Sequence, residues 1–385
     1  MGCGTSAVQK DDFCWHLSIE TVHKLSNVPY SRGTQEGNGS TRLGHDNIID
    51  LLNANKCTAG DRKFSIASDM DVGKSPFASK RMQQLGDKIN PAAHGMGFTC
   101  RKGLKPESPN QDSWSVLKVD GSFAIYAVYD GHGHNGHDIS NYVKNNLQKL
   151  IVSDQRFRTD KMPAMLKDCF KKIQNLIVTA DRTKKLNAQL SGTTCTLAIH
   201  DLEKKTLTIA HVADSTCVLG KMDKSSQTTK GVVMSRDHRP DLKDEKARIE
   251  ENGGRVVFDG HSNHRVFTKN GRYPGINMSR CLGDLLGHAE AGVTCEPEVT
   301  VYNIEDDDQF LLICSDGVWE FISANQAVEI VSQVPQNRSM VAANKLAKEA
   351  WDRWIQEGVG MVDDITVVLV SLQEAAPLDD SIITV

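Results

Sequence analysis

The sequence lacks the spacings and long runs that mark several common classes of protein. Its ten cysteines include no CxxC pair, which disfavours a zinc site and a thiol redox motif. No apolar stretch approaches the roughly 18 residues of a membrane-spanning helix, and the N-terminus has no apolar region typical of a secretory signal. The lysines and arginines form no basic block and the formal net charge is only -4, so we expect no nucleic-acid partner.

What the sequence contains is typical of a folded intracellular protein. Hydrophobic residues make up 39% of the 385 and charged residues 24%, values that allow a sizeable core. Several cysteines lie inside apolar runs, as Cys195 does in residues 193–199, where a free thiol behaves as a small hydrophobic group. Unpaired cysteines of this kind predict a reducing, cytoplasmic setting. There is no internal repeat and no glycine-rich P-loop or dinucleotide fingerprint.

The first six residues, MGCGTS, carry a lipidation signal. Gly2 becomes N-terminal once Met1 is removed, and Ser6 stands at the hydroxyl position that N-myristoylation favours. Because one myristoyl chain binds membranes only marginally, Cys3 is the expected palmitate acceptor and second anchor. The sequence therefore predicts a protein held on the cytoplasmic face of a membrane by N-terminal acylation.

Apolar periodicity divides the rest of the chain into three parts. Residues 1–94 predict an extension with little core of its own, although residues 47–53 have the pattern of a short helix. After Gly95, apolar runs of strand length alternate with turn signals. We therefore place one folded domain at residues 95–373 and a C-terminal tail at residues 374–385.

Strands and helices in that domain predict antiparallel sheets with helices outside them. The run 122–129 indicates a buried strand that presents Asp130 at its end. Further predicted strands are 193–199, 206–212, 216–221, 309–315 and 365–372, and the predicted helices are 139–151, 164–180, 241–252, 324–331 and 339–354. Because a hairpin joins two of these strands and helices enter in pairs, the expected fold class is α+β, a four-layer α-β-β-α sandwich of two antiparallel sheets flanked by helix pairs.

Acidic residues lie at the ends of five apolar runs. A single Asp-Gly commonly marks a turn, but several carboxylates buried together are costly unless a cation neutralises them. Oxygen ligands suit hard divalent ions such as Mg²⁺ or Mn²⁺. Two such ions can lower the pKa of a water between them and clamp a phosphoryl group. The sequence alone does not establish that these acids converge: Asp112, Asp130, Asp214, Asp316 and Asp363.

The content and order of the motifs after Gly95 resemble the type 2C family of metal-dependent protein phosphatases. The motifs are PNQD at 109–112, VYDGHG at 128–133, SGTT at 191–194, ADS at 213–215, RDHRP at 236–240, ENGG at 251–254, MSRCLGD at 278–284, CSDGVWE at 314–320 and DDIT at 363–366. The match covers essentially all of the chain after Gly95. It implies a protein-serine/threonine phosphatase that acts on phosphoserine and phosphothreonine proteins.

The resemblance also implies which residues hold the metals. Asp130 and the carbonyl of Gly131 would hold two core ions, Mg²⁺ or Mn²⁺, and Asp316 and Asp363 would complete one of these sites. Asp112 would act mainly through metal-bound water. A weaker third ion would be held by Asp214 with help from Asp316.

For catalysis, the resemblance implies that a water activated between the two ions attacks phosphorus in line. His132 would be the general acid for the departing seryl or threonyl oxygen. The nearby His134 and His137 have no matching role. Asp284 and Asp364 are expected to organise loops around the ligands.

The chain departs from the family pattern where the substrate phosphate is held. Gln111 replaces a glutamate that precedes the first aspartate, a mild change because an amide still hydrogen-bonds metal waters. Glu107 stands where many members have the phosphate-binding arginine. Thr216 stands where the family often has an arginine after Asp-Ser. The candidates to replace the phosphate-binding arginine are Arg101, Lys102 and Lys105.

Two alternatives to an active protein phosphatase stay open at this point. A pseudophosphatase would hold a phosphoprotein without hydrolysing it, and the missing arginine favours this reading. A different metal-dependent phosphoesterase would act on small molecules. The complete set of aspartates favours the active protein phosphatase, for which we expect a monomer with phosphoproteins and the membrane as partners.

The acylation signal predicts that the protein incorporates labelled myristate in cells. Gly2→Ala should abolish the label because the acyl chain is attached to the Gly2 amine. Cys3→Ser is the companion variant, which should keep myristate and lose palmitate. A wild-type protein without myristate would contradict the prediction.

Overall fold

The computed structural model describes residues 47–53, 61–69, 75–105, 109–357 and 360–373. Gly2 and Cys3, Glu107 and the tail at 374–385 lie outside these residues, so acylation and the tail stay predictions. Among the helices of the described part, none is long and apolar enough to cross a bilayer.

Two large antiparallel sheets form the centre of the fold. The first has seven strands, which in spatial order are β16 (Glu298–Asn303), β9 (Thr206–Val212), β8 (Cys195–Asp201), β5 (Phe123–Tyr129), β4 (Ser113–Val119), β1 (Lys63–Ser68) and β2 (Met82–Gly86). The second has five, which are β11 (Thr228–Val233), β10 (Thr216–Asp223), β17 (Asp308–Cys314), β18 (Ile365–Ser371) and β3 (Met96–Arg101). Small sheets are formed by β12 (Gly254–Phe258), β13 (His264–Thr268) and β14 (Pro274–Ile276), and by β15 (Leu282–Gly283), β7 (Gly192–Thr193) and β6 (Gly131–His132).

Helices cover the outer faces of both large sheets. The first sheet is covered by α2 (Gly136–Ser153) and α3 (Met162–Arg182), with α1 (residues 47–52) beside them. The second is covered by α7 (Ala324–Ser332) and α8 (Ser339–Gln356). The remaining helices are α4 (Lys243–Glu251), α5 (Leu285–Glu290) and α6 (Asp316–Trp319), with 3₁₀ turns at Ala92–His94 and Gln336–Arg338.

Strand β5 shows why this sequence forms four layers. All of its residues are buried. Because successive side chains of a strand point to opposite faces, a strand that is apolar at every position must be covered on both sides. The side chains that pack under α2 and α3 are Phe123, Ile125, Ala127 and Tyr129. Those that pack between the two sheets are Ala124, Tyr126 and Val128. The predicted α-β-β-α sandwich is confirmed.

The elements predicted after Gly95 are present, with ends shifted by no more than one helical turn. Residues upstream of Gly95 contribute more than the sequence predicts. Strand β1 pairs with β4 and with β2, and Phe64 and Ile66 are fully buried between the two sheets. The expected division at residue 95 therefore does not coincide with a structural boundary. Two large apolar residues in a six-residue strand are too weak a periodic signal to reveal it.

The buried position of Phe64 predicts that Phe64→Ala lowers the free energy of unfolding by about 3–5 kcal/mol, because it leaves a cavity between the sheets. Urea unfolding followed by circular dichroism would measure the change. Met82→Ala is the matched control, since Met82 on the neighbouring strand is 43% exposed; it should shift stability by less than about 0.5 kcal/mol. Equal stability of the two variants would show that β1 is not part of the cooperative core.

Candidate active site

Strand pairing in the first sheet brings two of the predicted carboxylates together. Asp112 directly precedes β4, and Asp130 directly follows β5. The two strands are antiparallel and Ser113 pairs with Tyr129. Asp112 and Asp130 therefore lie side by side at the same edge of the sheet.

Strand pairing in the second sheet presents three more acids at matching ends. Thr216 of β10 pairs with Cys314 of β17, and Cys314 pairs with Val367 of β18. An acid stands just beyond the end of each strand. These acids are Asp214 before β10, Asp316 after β17 and Asp363 before β18.

The carboxylates of both sheets are close enough to raise one another's pKa. Burial, and then the charges of Asp112, Asp316 and Asp363, raise the pKa of Asp130 well above its usual value. Burial and Asp316 raise the pKa of Asp363 to about 6 and that of Asp214 to about 8. The sandwich thus brings the acids of both sheets into one cluster, which is ionised at neutral pH only at a cost that a bound cation would remove.

The two carboxylate oxygens of Asp112 differ in their hydrogen bonding. Its Oδ2 accepts hydrogen bonds from the hydroxyls of Ser315 and Thr366, each at 2.7 Å. Its buried Oδ1, like Oδ1 of Asp316, has no hydrogen-bond partner within the described residues. Hard divalent ions take such carboxylate oxygens, so the residues present fit the metal that the sequence predicts.

The Asp130-Gly131 segment is fixed through its backbone. The Asp130 N–H donates to Thr194 Oγ1 at 2.9 Å, and the Asp130 carbonyl accepts from the Thr194 N–H at 2.8 Å. A Cβ on Gly131 would lie 2.4 Å from the carbonyl oxygen of Gly136 and 2.6 Å from that of Gln111. Only glycine fits there, so the loop after β5 packs against its neighbours more closely than a side chain would allow.

His132 is held by a buried carboxylate. Its Nε2 lies 2.5 Å from Oδ2 of Asp284, which also accepts from the Cys281 thiol at 3.2 Å. Burial lowers the pKa of His132, but the charge of Asp284 outweighs it and the net shift is upward. The other ring nitrogen, Nδ1, has no hydrogen-bond partner within the described chain. Asp284, predicted as a loop organiser, orients this imidazole and raises its pKa.

Asp364 and Gln111 join the loops around the cluster. Asp364 accepts hydrogen bonds from the backbone N–H groups of Gly103 and Gln111, both at 2.7 Å. The side-chain amide of Gln111 donates to the Gly133 carbonyl at 2.6 Å. Both side chains therefore act on loop geometry, which is the role predicted for Asp364, while the predicted contact of Gln111 with metal-bound water stays a prediction.

The structure corrects one of the predicted phosphate-binding candidates, Arg101. The Arg101 guanidinium donates to Asn344 Oδ1 at 2.7 Å, to Thr99 Oγ1 at 2.9 Å and to the Phe77 carbonyl at 3.3 Å. These contacts hold Arg101 against α8 and Phe77, so the prediction that it binds phosphate is wrong. Lys105 does reach the cluster, where its ammonium pairs with Asp363.

A second group of possible metal ligands lies outside the cluster, at His211, His238 and Glu298. Nδ1 of His238 accepts a hydrogen bond from the Ala213 N–H at 3.0 Å. In the neutral ring, Nε2 must then carry the proton and cannot also be a ligand. His238 thus has a structural role, and nearby Thr216 donates a hydrogen bond to Asp237 at 2.8 Å.

Sequence reasoning assigned no role to several residues that shape the site. Ser315, Thr366 and Thr194 stand in the quoted motifs, so their positions were visible although their partners were not. Lys80 carried no signal because it lies upstream of the expected domain, yet its ammonium donates to the Asp112 carbonyl. Its contribution follows only from the pairing of the upstream strands.

Comparison with known proteins identifies the family. The family model described as protein phosphatase 2C matches residues 100–358. The chain belongs to the protein phosphatase 2C family. The probable protein phosphatase 2C 72 of Arabidopsis thaliana is 32% identical over 296 residues, covering 73% of this chain and 86% of that protein. As a member of this metal-dependent family, this phosphatase 2C is a protein-serine/threonine phosphatase.

Solved structures of similar proteins share the fold of this phosphatase 2C. The crystal structure of serine-threonine phosphatase 2C from Toxoplasma gondii has a TM-score of 0.59 at 21% identity, covering 71% of this chain and 94% of that one. A C. elegans sex determining protein has a TM-score of 0.62 at 20% identity, covering 76% and 67% of the two chains. At these identities the likeness concerns the fold alone.

The raised pKa values predict that stability in EDTA falls as pH rises through about 6 to 8. Asp363, Asp112 and Asp214, with pKa values of about 6, 7 and 8, hold protons in the folded state that they release at about 3.9 when unfolded. Their contribution to stability is therefore fully present below about pH 3.9 and is lost progressively until the pH has passed each folded-state pKa. Urea unfolding at pH 5.5 and 8.5 would measure it.

Saturating Mn²⁺ should raise the melting temperature more at pH 8.5 than at pH 5.5, because the ion binds the ionised cluster. Asp316→Asn should lose most of this shift. Asp120→Asn, a partly exposed acid that pairs with Lys118, should keep it. A melting temperature that responds equally to Mn²⁺ in both variants would contradict the assignment.

Proposed function

We propose that this chain hydrolyses phosphoserine and phosphothreonine proteins with divalent cations, Mg²⁺ or Mn²⁺, held by the aspartate cluster. The observation that carries the proposal is the convergence of five strand-end carboxylates, two of which keep a buried oxygen without a partner in the described chain. The core ions would be held by Asp130, the Gly131 carbonyl, Asp316 and Asp363, with Asp112 acting through water and Asp214 serving a weaker third ion. When bound, the ions lower the pKa of a water between them and neutralise charge on the phosphoryl group.

The surrounding residues would keep these ligands in place during turnover. Thr194 holds the backbone of Asp130, and the hydroxyls of Ser315 and Thr366 leave Asp112 one oxygen to present. Fixed ligands need no rearrangement when charge develops on the phosphoryl group, which is how a preorganised site lowers the barrier. Hydrolysis by direct attack of water requires no phosphoenzyme.

His132 would supply the proton that the leaving group needs. A seryl or threonyl oxygen is a poor leaving group as an alkoxide, so a positioned acid accelerates its departure. Asp284 binds Nε2 and raises the pKa of the ring, which favours the protonated imidazole that a general acid needs. The atom that would donate is Nδ1, which has no other partner within the described residues.

Two further proposals concern the surroundings of the site. Lys105 is the predicted phosphate-binding residue that lies at the cluster, through its contact with Asp363. Acylation at Gly2 and Cys3 would bring the phosphatase to phosphoproteins at a membrane surface.

The direct test is phosphate release from a phosphothreonine peptide with Mn²⁺, with Mg²⁺ and with EDTA. We expect turnover with either metal and none with EDTA. Asp130→Ala should reduce turnover by about a hundredfold or more, because it removes a ligand shared by both ions. Asp120→Ala controls for loss of an acid elsewhere, in the turn between β4 and β5.

Full activity of Asp130→Ala would overturn the assignment of the site. No turnover with any metal by a folded protein that still binds the phosphopeptide would favour a pseudophosphatase instead. Strong preference for a soluble metabolite over phosphopeptides would indicate a small-molecule phosphoesterase.

A further inference from the structure

A short loop is built to deliver Lys105 to the acidic cluster. The Gly103 N–H donates to Asp364 Oδ1 at 2.7 Å, and the Leu104 N–H donates to the Val362 carbonyl at 2.7 Å. A Cβ on Gly103 would lie 2.2 Å from the carbonyl oxygen of Val362 and 2.4 Å from that of Asp363. The backbone just before Lys105 is therefore fixed directly on the loop that carries Asp363.

The Lys105 side chain uses this placement to enter the cluster. Its ammonium pairs with Oδ1 of Asp363, and the two side chains are 31% and 10% exposed. Burial alone would lower the pKa of Lys105, but the charges of Asp363, Asp316 and Asp130 outweigh it and raise the pKa. Lys105 is thus a cation at neutral pH, seated among three of the carboxylates proposed to hold divalent ions.

Lys105 and a metal ion would compete for the same carboxylate, that of Asp363. Divalent ions bind Asp363 through its oxygens, and Oδ1 is the oxygen that the ammonium contacts. Arg101, the other basic candidate, does not reach the cluster. Its guanidinium is held by Asn344, Thr99 and the Phe77 carbonyl. The ammonium of Lys105 therefore opposes the entry of a second cation both by contact and by charge.

We propose that Lys105 is an internal competitor for the divalent cation at Asp363, so that a metal ion binds there only by displacing the ammonium. The inference rests on the proposed function, because it takes Asp363 as a metal ligand. Its consequence is a phosphatase whose metal affinity is set below what the carboxylates alone would give. The site would then fill with metal at higher free metal concentrations than the carboxylates alone would require.

The test measures Mn²⁺ binding directly on the full chain after EDTA treatment and removal of the chelator. Free Mn²⁺ is measured by electron paramagnetic resonance at fixed pH and ionic strength. Lys105→Gln and Lys105→Met should each lower the Kd of the tightest Mn²⁺ site by about tenfold or more, the scale expected when one unit charge stops repelling a dication across a partly solvated site. Lys105→Arg keeps the charge and should stay closer to the wild type than either.

Lys221→Gln is the matched control for charge. Lys221 is also held by carboxylates, at 3.3 Å from Asp307 and 3.6 Å from Asp308, but it lies in the part of β10 far from Asp214. Removing its charge should leave the Kd within about twofold of the wild-type value, because salt screens distant charges. A tenfold change in this variant would mean that net charge, not the contact with Asp363, sets the affinity.

The outcomes separate this inference from the proposed function. Tighter Mn²⁺ binding by both uncharged Lys105 variants would support it, and most strongly if the wild type binds too weakly to measure. Equal or weaker binding by variants that melt like the wild type would overturn the role of Lys105 and leave the metal site standing. Absence of Mn²⁺ binding in every protein would overturn both proposals.

Discussion

Mutual repulsion among buried carboxylates is the constraint on which the rest of this structure depends. Five aspartates at strand ends would separate if the strands were free to move, so the pairing of β4 with β5 and of β10 with β17 and β18 must hold them together. The two sheets pack through a continuous apolar layer, and that layer opposes the repulsion. The site is therefore stabilised by the core behind it rather than by its own contacts.

Uncharged hydrogen-bond donors and His132 orient the acidic groups that the core brings together. Ser315, Thr366 and Thr194 fix ligand groups without adding charge, so they orient the cluster and leave its demand for cations intact. Asp284 is a further buried acid near the site, and its partners are His132 and the Cys281 thiol. The phosphatase thus separates the acids that would bind metal from the acid that governs proton donation.

The sequence predicted the fold well where periodicity was strong and the site where motifs were complete. Strand β5, apolar at each position, reveals two covered faces, and the paired amphipathic helices identify what covers them. The convergence of the aspartates could not be predicted, because it depends on strand register between segments as distant as Asp112 and Asp363. The contact of Arg101 with Asn344 could not be predicted either, because it depends on how α8 packs beside β3. Strand β1 was missed because Phe64 and Ile66 alone make a weak pattern.

The position of β1 distinguishes the region that resembles the family from the unit that folds. The family match spans residues 100–358, whereas β1 and β2 lie upstream and close one side of the seven-stranded sheet. Without them, β4 would become an edge strand whose backbone N–H and C=O groups on the outer side are unpaired. Such an edge is a template for aggregation between chains. A fragment cut at the limits of similarity would lose Asp363 and β18 at its C-terminal end and would expose an adhesive edge of β4 at the other.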